Sequence, residues 1–175
     1  MQFRNGVAAD IGAIQAIERA SAVRFLDVDM PEIASGDPTS ETILLQRIAQ
    51  GHLFVAIEGL PVGFVFYDVV DDHLYIEEIN VYPSHGGKRL GAGLIHLVED
   101  RARDEGLPGL LLSTFRDVPW NGPYYRRLGF TDIADTDLSP ALLHIRQEHI
   151  ARGLDETMRV FMRKPVKLDS HGDPR

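Results

Sequence analysis

The chain has 175 residues, 44% of them hydrophobic, about one domain's worth of sequence with enough apolar material for a sizeable core. Its 18 Lys and Arg against 26 Asp and Glu leave a formal charge of −8, which opposes attraction to phosphate backbones and argues against nucleic acid as a partner; a cationic amine suits it better. The absence of cysteine excludes disulfides, thiolate metal sites and a cysteine-bound acyl intermediate.

Residues 1–10 lack the apolar core of a signal peptide and no later run is long and apolar enough for a bilayer, so no membrane partner and a cytoplasmic location are expected. A short strand at residues 2–4 precedes a helix marked by Ile11, Ile14, Ile17 and Ala20. An irregular stretch with Arg24, Phe25 and Asp27 leads to a helix at 42–49. Three β-rich runs follow, at 53–57, 62–70 and 74–81. Turns at Glu58-Gly59-Leu60-Pro61 and Asp71-Asp72 separate them, so they read as an antiparallel meander. In the third run Leu74 and Ile76 share one parity while Ile79 and Val81 share the other. Either both faces are buried there, or an extra residue near Glu77-Glu78 makes a β-bulge.

Beyond Pro83, Leu90, Leu94, Leu97, Val98 and Ala102 form one face of a helix that Gly106 closes. A buried strand at 110–112, parallel to the run at 74–81, a short helix at 121–128, a strand at 130–133, a helix at Pro140–Ala151 and a strand at 157–162 complete the chain. One domain over 1–165 and a flexible tail over 166–175 are expected. The five-residue spacing of His144 and His149 does not match H-E-x-x-H, so no metal is expected. After the strand at 110–112, Arg116, Asp117 and Trp120 either line a cleft or form a structural corner.

The segment His85-Gly86-Gly87-Lys88-Arg89-Leu90-Gly91-Ala92-Gly93 lies between a strand and a helix, where free N–H groups and the helix dipole favour an anion. Neither a P-loop nor a Rossmann fingerprint can be laid over it. With Val81-Tyr82-Pro83 before it, it resembles the acetyl-CoA motif of the GNAT superfamily, V-x-P-x-x-[QR]-x-x-G-x-[GA]. Gly86 stands at the usual Gln/Arg position, Arg89 at the usual first Gly, and Gly91 at the final position. A second segment, Asn121-Gly122-Pro123-Tyr124-Tyr125-Arg126-Arg127-Leu128-Gly129-Phe130, resembles the family's later motif, N…[FY]-Y-x-x-x-G-F. Here Asn121 is also a good N-cap and Gly129 a good helix stop.

The resemblance implies an α/β (α+β) fold with a mixed, mostly antiparallel sheet of about six to seven strands flanked by helices. It implies acetyl transfer from acetyl-CoA to a primary amine of a small molecule, by direct attack in a ternary complex. By the same resemblance, the pyrophosphate would lie on Gly86, Gly87, Lys88, Arg89, Leu90, Gly91 and Ala92. The pantetheine arm and acyl carbonyl would lie along Ile79, Asn80 and Val81, with Asn121 and Tyr125 as further cofactor contacts. Tyr125 would protonate the leaving thiolate. Of the two candidate bases, Glu77 is preferred to Glu78. A peptide or protein acceptor, and a non-catalytic acyl-CoA-binding module, stay open as alternatives. A homodimer could form through edge strands or the helix at Pro140–Ala151.

Overall fold

The computed structural model describes residues 1–168. Its elements are β1 (Gln2–Asn5), α1 (Ile11–Ala22), α2 (Pro31–Ala34), α3 (Glu41–Gln50), β2 (Leu53–Glu58), β3 (Leu60–Val70), β4 (His73–Val81), α4 (Leu90–Asp104), β5 (Gly109–Phe115), α5 (Gly122–Arg127), β6 (Thr131–Asp132), α6 (Pro140–Ala151) and β7 (Arg159–Pro165). The strands follow the order β1-β2-β3-β4-β5-β7-β6, the seven-stranded mixed α/β arrangement expected. Among the described residues no helix is long and apolar enough to cross a membrane. The chain divides into two compact units, Met1–Asp68 with Ile76–Leu97, and Val69–Tyr75 with Val98 onward.

In the first unit, α1 is only twelve residues long and would be marginal alone; its buried face holds it in place. Ile11, Ile14 and Ile17 cluster with Leu44 of α3, Leu53 and Val55 of β2, and Phe64 and Phe66 of β3. Ile14 and Ile17 are fully buried, each worth about 2 kcal/mol. Helix α3 begins where Ile43 N–H donates to the Ser40 hydroxyl at 3.4 Å, and ends at Gly51 in the left-handed region. β1 pairs antiparallel with β2 from Gln2↔Ile57 to Asn5↔Phe54, and β2 with β3 after a register shift between Ala56 and Ile57.

The irregular stretch after α1 contains a 3-10 turn over Val23–Val28 and the single-turn α2, joined by Asp29 at φ 58°. Neither has a buried apolar stripe: Val23 and Leu26 are exposed, so no periodicity announces them. In β4, Leu74, Tyr75 and Ile76 are buried in succession. Both faces are therefore covered at that end.

In the second unit, β5 and β7 pair antiparallel over seven positions, from Gly109↔Pro165 to Phe115↔Arg159. Its core gathers Tyr75, Leu111, Ile133, Leu138, Leu142 and Phe161. The turn at Asp71-Asp72 has φ 51° and 57°, the left-handed pair of a tight hairpin connection. The Ser139 hydroxyl donates to the Asp71 carboxylate and also caps α6, accepting from Leu142 N–H at 3.2 Å. β7 starts two residues later than expected because Glu156–Met158 close a 3-10 turn on the Asp155 carboxylate. β6 shrinks to two residues because Phe130 N–H is turned back to the Tyr125 carbonyl, at 3.1 Å. Of the tail expected over 166–175, residues 169–175 lie outside the described residues; Val166 is buried and donates its N–H to Pro108 O at 2.9 Å.

Candidate active site

The β4–α4 connection in the first unit begins with a 3-10 turn at Pro83–His85, in which Gly86 N–H reaches Pro83 O at 3.1 Å. Gly87 and Arg89 then take φ 78° and 59°. Gly93 N–H donates to Arg89 O at 3.0 Å, which makes Arg89 the residue before the first turn of α4. The N–H groups of Leu90, Gly91 and Ala92 precede that bond and have no partner one turn back in the helix. They stand at the positive end of the helix dipole. Gly86, Gly87, Lys88 and Arg89 are exposed, and a Cβ built on Gly87 meets nothing within 4 Å. Free donors, a dipole and open space over the backbone together fit a pyrophosphate.

The side chains of this loop are less available than its backbone. Lys88 Nζ and His85 Nε2 each stand 3.0 Å from Glu58 Oε2. Lys88 holds the Glu58 carboxyl below its ordinary pKa. Arg89 adopts a left-handed conformation at the position where the family pattern carries glycine.

The second half of β4 sorts the two candidate bases by parity. Glu77 points to Arg47 of α3, whose Nε and Nη2 donate to Oε2 and Oε1 at 2.5 and 2.9 Å. The same buried guanidinium lies 3.0 Å from Asp68 and donates to Gln50 Oε1 at 3.0 Å. Both Glu77 oxygens thus serve a bidentate ion pair. Glu78 instead lines a cavity of about 170 Å³ together with Glu18, Arg19, Phe25, Asp37 and Asn80. Asn80 Nδ2 donates to Glu78 Oε1 at 2.6 Å. Of the backbone groups expected to meet the pantetheine arm, the Val81 carbonyl already accepts the buried Ser21 hydroxyl at 3.0 Å. Ile79 is half-buried.

Glu18, Arg19 and Asp37 were not singled out from the sequence. On α1, Glu18 follows a core isoleucine and reads as one more solvent-facing charge. Only the fold turns it toward the cavity, where burial pushes its carboxyl up in pKa despite hydrogen bonds from Thr39. Of the stretch noted after α1, Phe25 does line the cavity.

In the second unit Tyr125 is buried on α5, edge-on to Phe130 at 5.8 Å and to the half-buried Tyr124 at 5.4 Å. Asn121 departs from its expected capping role: its side chain makes no cap bond. Its Nδ2 donates to the buried Thr114 hydroxyl on β5 at 2.6 Å, and its Oδ1 is buried with no hydrogen-bond partner among the described residues. Gly129, at φ 94°, does end the helix as expected. Arg116 forms a corner, donating to the carbonyls of Thr157 and Arg159 at 2.9 Å each.

The family described as "Acetyltransferase (GNAT) family" matches residues 19–130, more than half of the chain. Solved structures share the fold at low identity. The ribosomal-protein-S18-alanine N-acetyltransferase from Escherichia coli is 17% identical, with TM-score 0.65 and 99% of each chain covered. The PaiA N-acetyltransferase from Thermoplasma acidophilum, in complex with coenzyme A, is 14% identical, with TM-score 0.66, covering 94% of this chain and 98% of that one. The N-acetylglutamate synthase from Neisseria gonorrhoeae, complexed with coenzyme A and N-acetyl-glutamate, is 17% identical, with TM-score 0.69, covering 95% of this chain and 35% of that one.

Proposed function

We propose, for a chain that belongs to the acetyltransferase (GNAT) family and is thus an acyltransferase, that it moves an acetyl group from acetyl-CoA to a primary amine of a small molecule. The observation that carries the small-molecule reading is the cavity beside β4. It measures about 170 Å³, and its lining includes three carboxylates, Glu18, Asp37 and Glu78, beside one cation, Arg19. Pockets for drug-sized ligands run from about 300 Å³ upward, so this space suits a short amine. Its excess of carboxylates suits an ammonium ion.

When bound, acetyl-CoA supplies an acetyl thioester; transfer forms one C–N bond, breaks one C–S bond, takes a proton from the amine and returns one to sulfur. An alkylammonium with a pKa of about 10 must lose that proton before its nitrogen can attack. Glu78 is the proton acceptor in this reading, because it lines the cavity while the Glu77 oxygens are held by Arg47. Tyr125, in the second unit, is the proton donor, and Asn121 a cofactor contact whose buried Oδ1 can accept a hydrogen bond. The backbone of Ile79, Asn80 and Val81 takes the acyl arm. The N–H groups from Gly87 to Ala92, with the Arg89 guanidinium, take the pyrophosphate.

The test is calorimetric titration with acetyl-CoA beside a thiol-release assay using butylamine, 1,4-diaminobutane and an alanine-led tripeptide. Binding with release driven by the two small amines is expected. Release with the tripeptide alone would overturn the small-molecule reading, and binding with no release from any amine would overturn the reaction proposed.

A further inference from the structure

Glu18 spends both of its oxygens on one residue. Thr39 N–H donates to Oε2 at 3.0 Å and the Thr39 hydroxyl donates to Oε1 at 2.8 Å. From the previous turn of α1, Gln15 Nε2 donates to the Thr39 carbonyl at 3.0 Å. Every polar group of Thr39 is therefore tied to α1, and Thr39 directly follows Gly36, Asp37 and Pro38, which form one wall of the cavity. Upstream, this wall hangs on the single-turn α2, where the Ser35 N–H and Gly36 N–H bonds to Pro31 O and Ile33 O measure 3.0 and 3.3 Å. So short a helix has little stability of its own.

We propose that Glu18 is a specificity-determining positioning residue: by clamping Thr39 to α1 it fixes the wall at residues 36–38 and restricts the cavity to small amines. The inference rests on the acceptor reading given above. Glu18 acts through Thr39 and does not itself need to touch the amine. A half-buried carboxylate holding a loop by two hydrogen bonds is a strong clamp, since bonds to charged groups exceed neutral ones. The clamp also lies 21 residues apart in sequence, so it exists only in the folded unit.

Two variants test it, Glu18→Gln, which keeps the shape but removes the charge, and Thr39→Val, which keeps the shape but removes the hydroxyl. Hydrogen–deuterium exchange of the amides at 36–39 is expected to quicken about tenfold in both, as local opening becomes easier. In the thiol-release assay the KM for butylamine should rise about tenfold in each, and preference for butylamine over the tripeptide should narrow by a similar factor. Acetyl-CoA affinity by calorimetry should not move. The double variant should resemble either single one, because both break the same clamp.

Unchanged exchange in both variants would overturn the clamp. Faster exchange with an unchanged preference would overturn its role in specificity. A defect in Glu18→Gln that Thr39→Val does not share would mean that Glu18 binds the amine directly, which also overturns the proposal. Should the wild-type protein turn over neither amine nor tripeptide, the acceptor reading falls and the specificity role with it, while the exchange rates still decide whether the clamp exists.

Discussion

Tyr125 and Arg89 each combine a proposed chemical role with a conformational one. Tyr125 is buried among aromatic rings, so Tyr125→Phe keeps its packing and removes only the hydroxyl. We expect kcat to fall by about 10²–10³ while acetyl-CoA affinity stays within twofold, as for loss of a general acid; an unchanged kcat would remove Tyr125 from that role. Arg89 sits at φ 59°, which costs a side-chain-bearing residue roughly 1 kcal/mol, part of which glycine gives back as chain entropy. Arg89→Gly should therefore raise stability in urea unfolding by about 0.5 kcal/mol. Calorimetry should show acetyl-CoA binding weakened about fivefold, because the loop's other cation, Lys88, is already paired with Glu58. The departure of this position from the family pattern is visible in the sequence. That the backbone keeps the glycine-like conformation despite the arginine is not, because φ is set by the turn that joins β4 to α4.

At the scale of elements, α5 is held by contact more than by capping. A Cβ on Gly122 would stand 2.2 Å from the Arg116 carbonyl oxygen and 2.9 Å from its carbon. Gly122→Ala must push α5 off the end of β5, and we expect a loss of about 3 kcal/mol in chemical denaturation together with loss of turnover. Asn121 has the composition of an N-cap, yet its amide is drawn to Thr114 on β5. Local sequence predicts a local bond, and a neighbouring strand outcompetes it. The long periodic elements α1, α3 and α4 and the strands β2 to β5 were legible, because their apolar spacing is their reason for existing. The 3-10 turn at Val23–Val28 and α2 were not, because they bury no stripe and are defined by the contacts of the first unit.

The fold as a whole should respond to acid through a buried charge cluster in the second unit. His149 Nδ1 stands 2.8 Å from Glu156 Oε1, with Arg159 at 3.4 Å and Arg146 at 3.9 Å from that carboxylate. Burial, aided by the charges of Arg159 and Arg152, lowers the His149 pKa to about 4, while burial raises that of Glu156. A histidine with a folded pKa below its unfolded value of about 6.5 costs nothing above that pH and destabilises progressively as pH falls toward 4. Glu156 acts oppositely, since its raised pKa favours the fold once protons bind it. We expect stability to decline between pH 6.5 and 4 by at most about 3 kcal/mol, and the decline to flatten in His149→Gln, as measured by urea midpoints across that range.

The order and type of the main elements, the family, and the two segments where cofactor contacts are proposed are readable from local sequence, because periodicity, glycine placement and short motifs are properties of neighbouring residues. The surroundings of each carboxylate, by contrast, are set by the tertiary fold. Parity along β4 sends Glu77 to Arg47 and Glu78 to the cavity, and the packing of α1 brings Glu18 to Thr39. Those assignments depend on which strand face a helix covers and on contacts between residues far apart in the chain, and no local pattern encodes either.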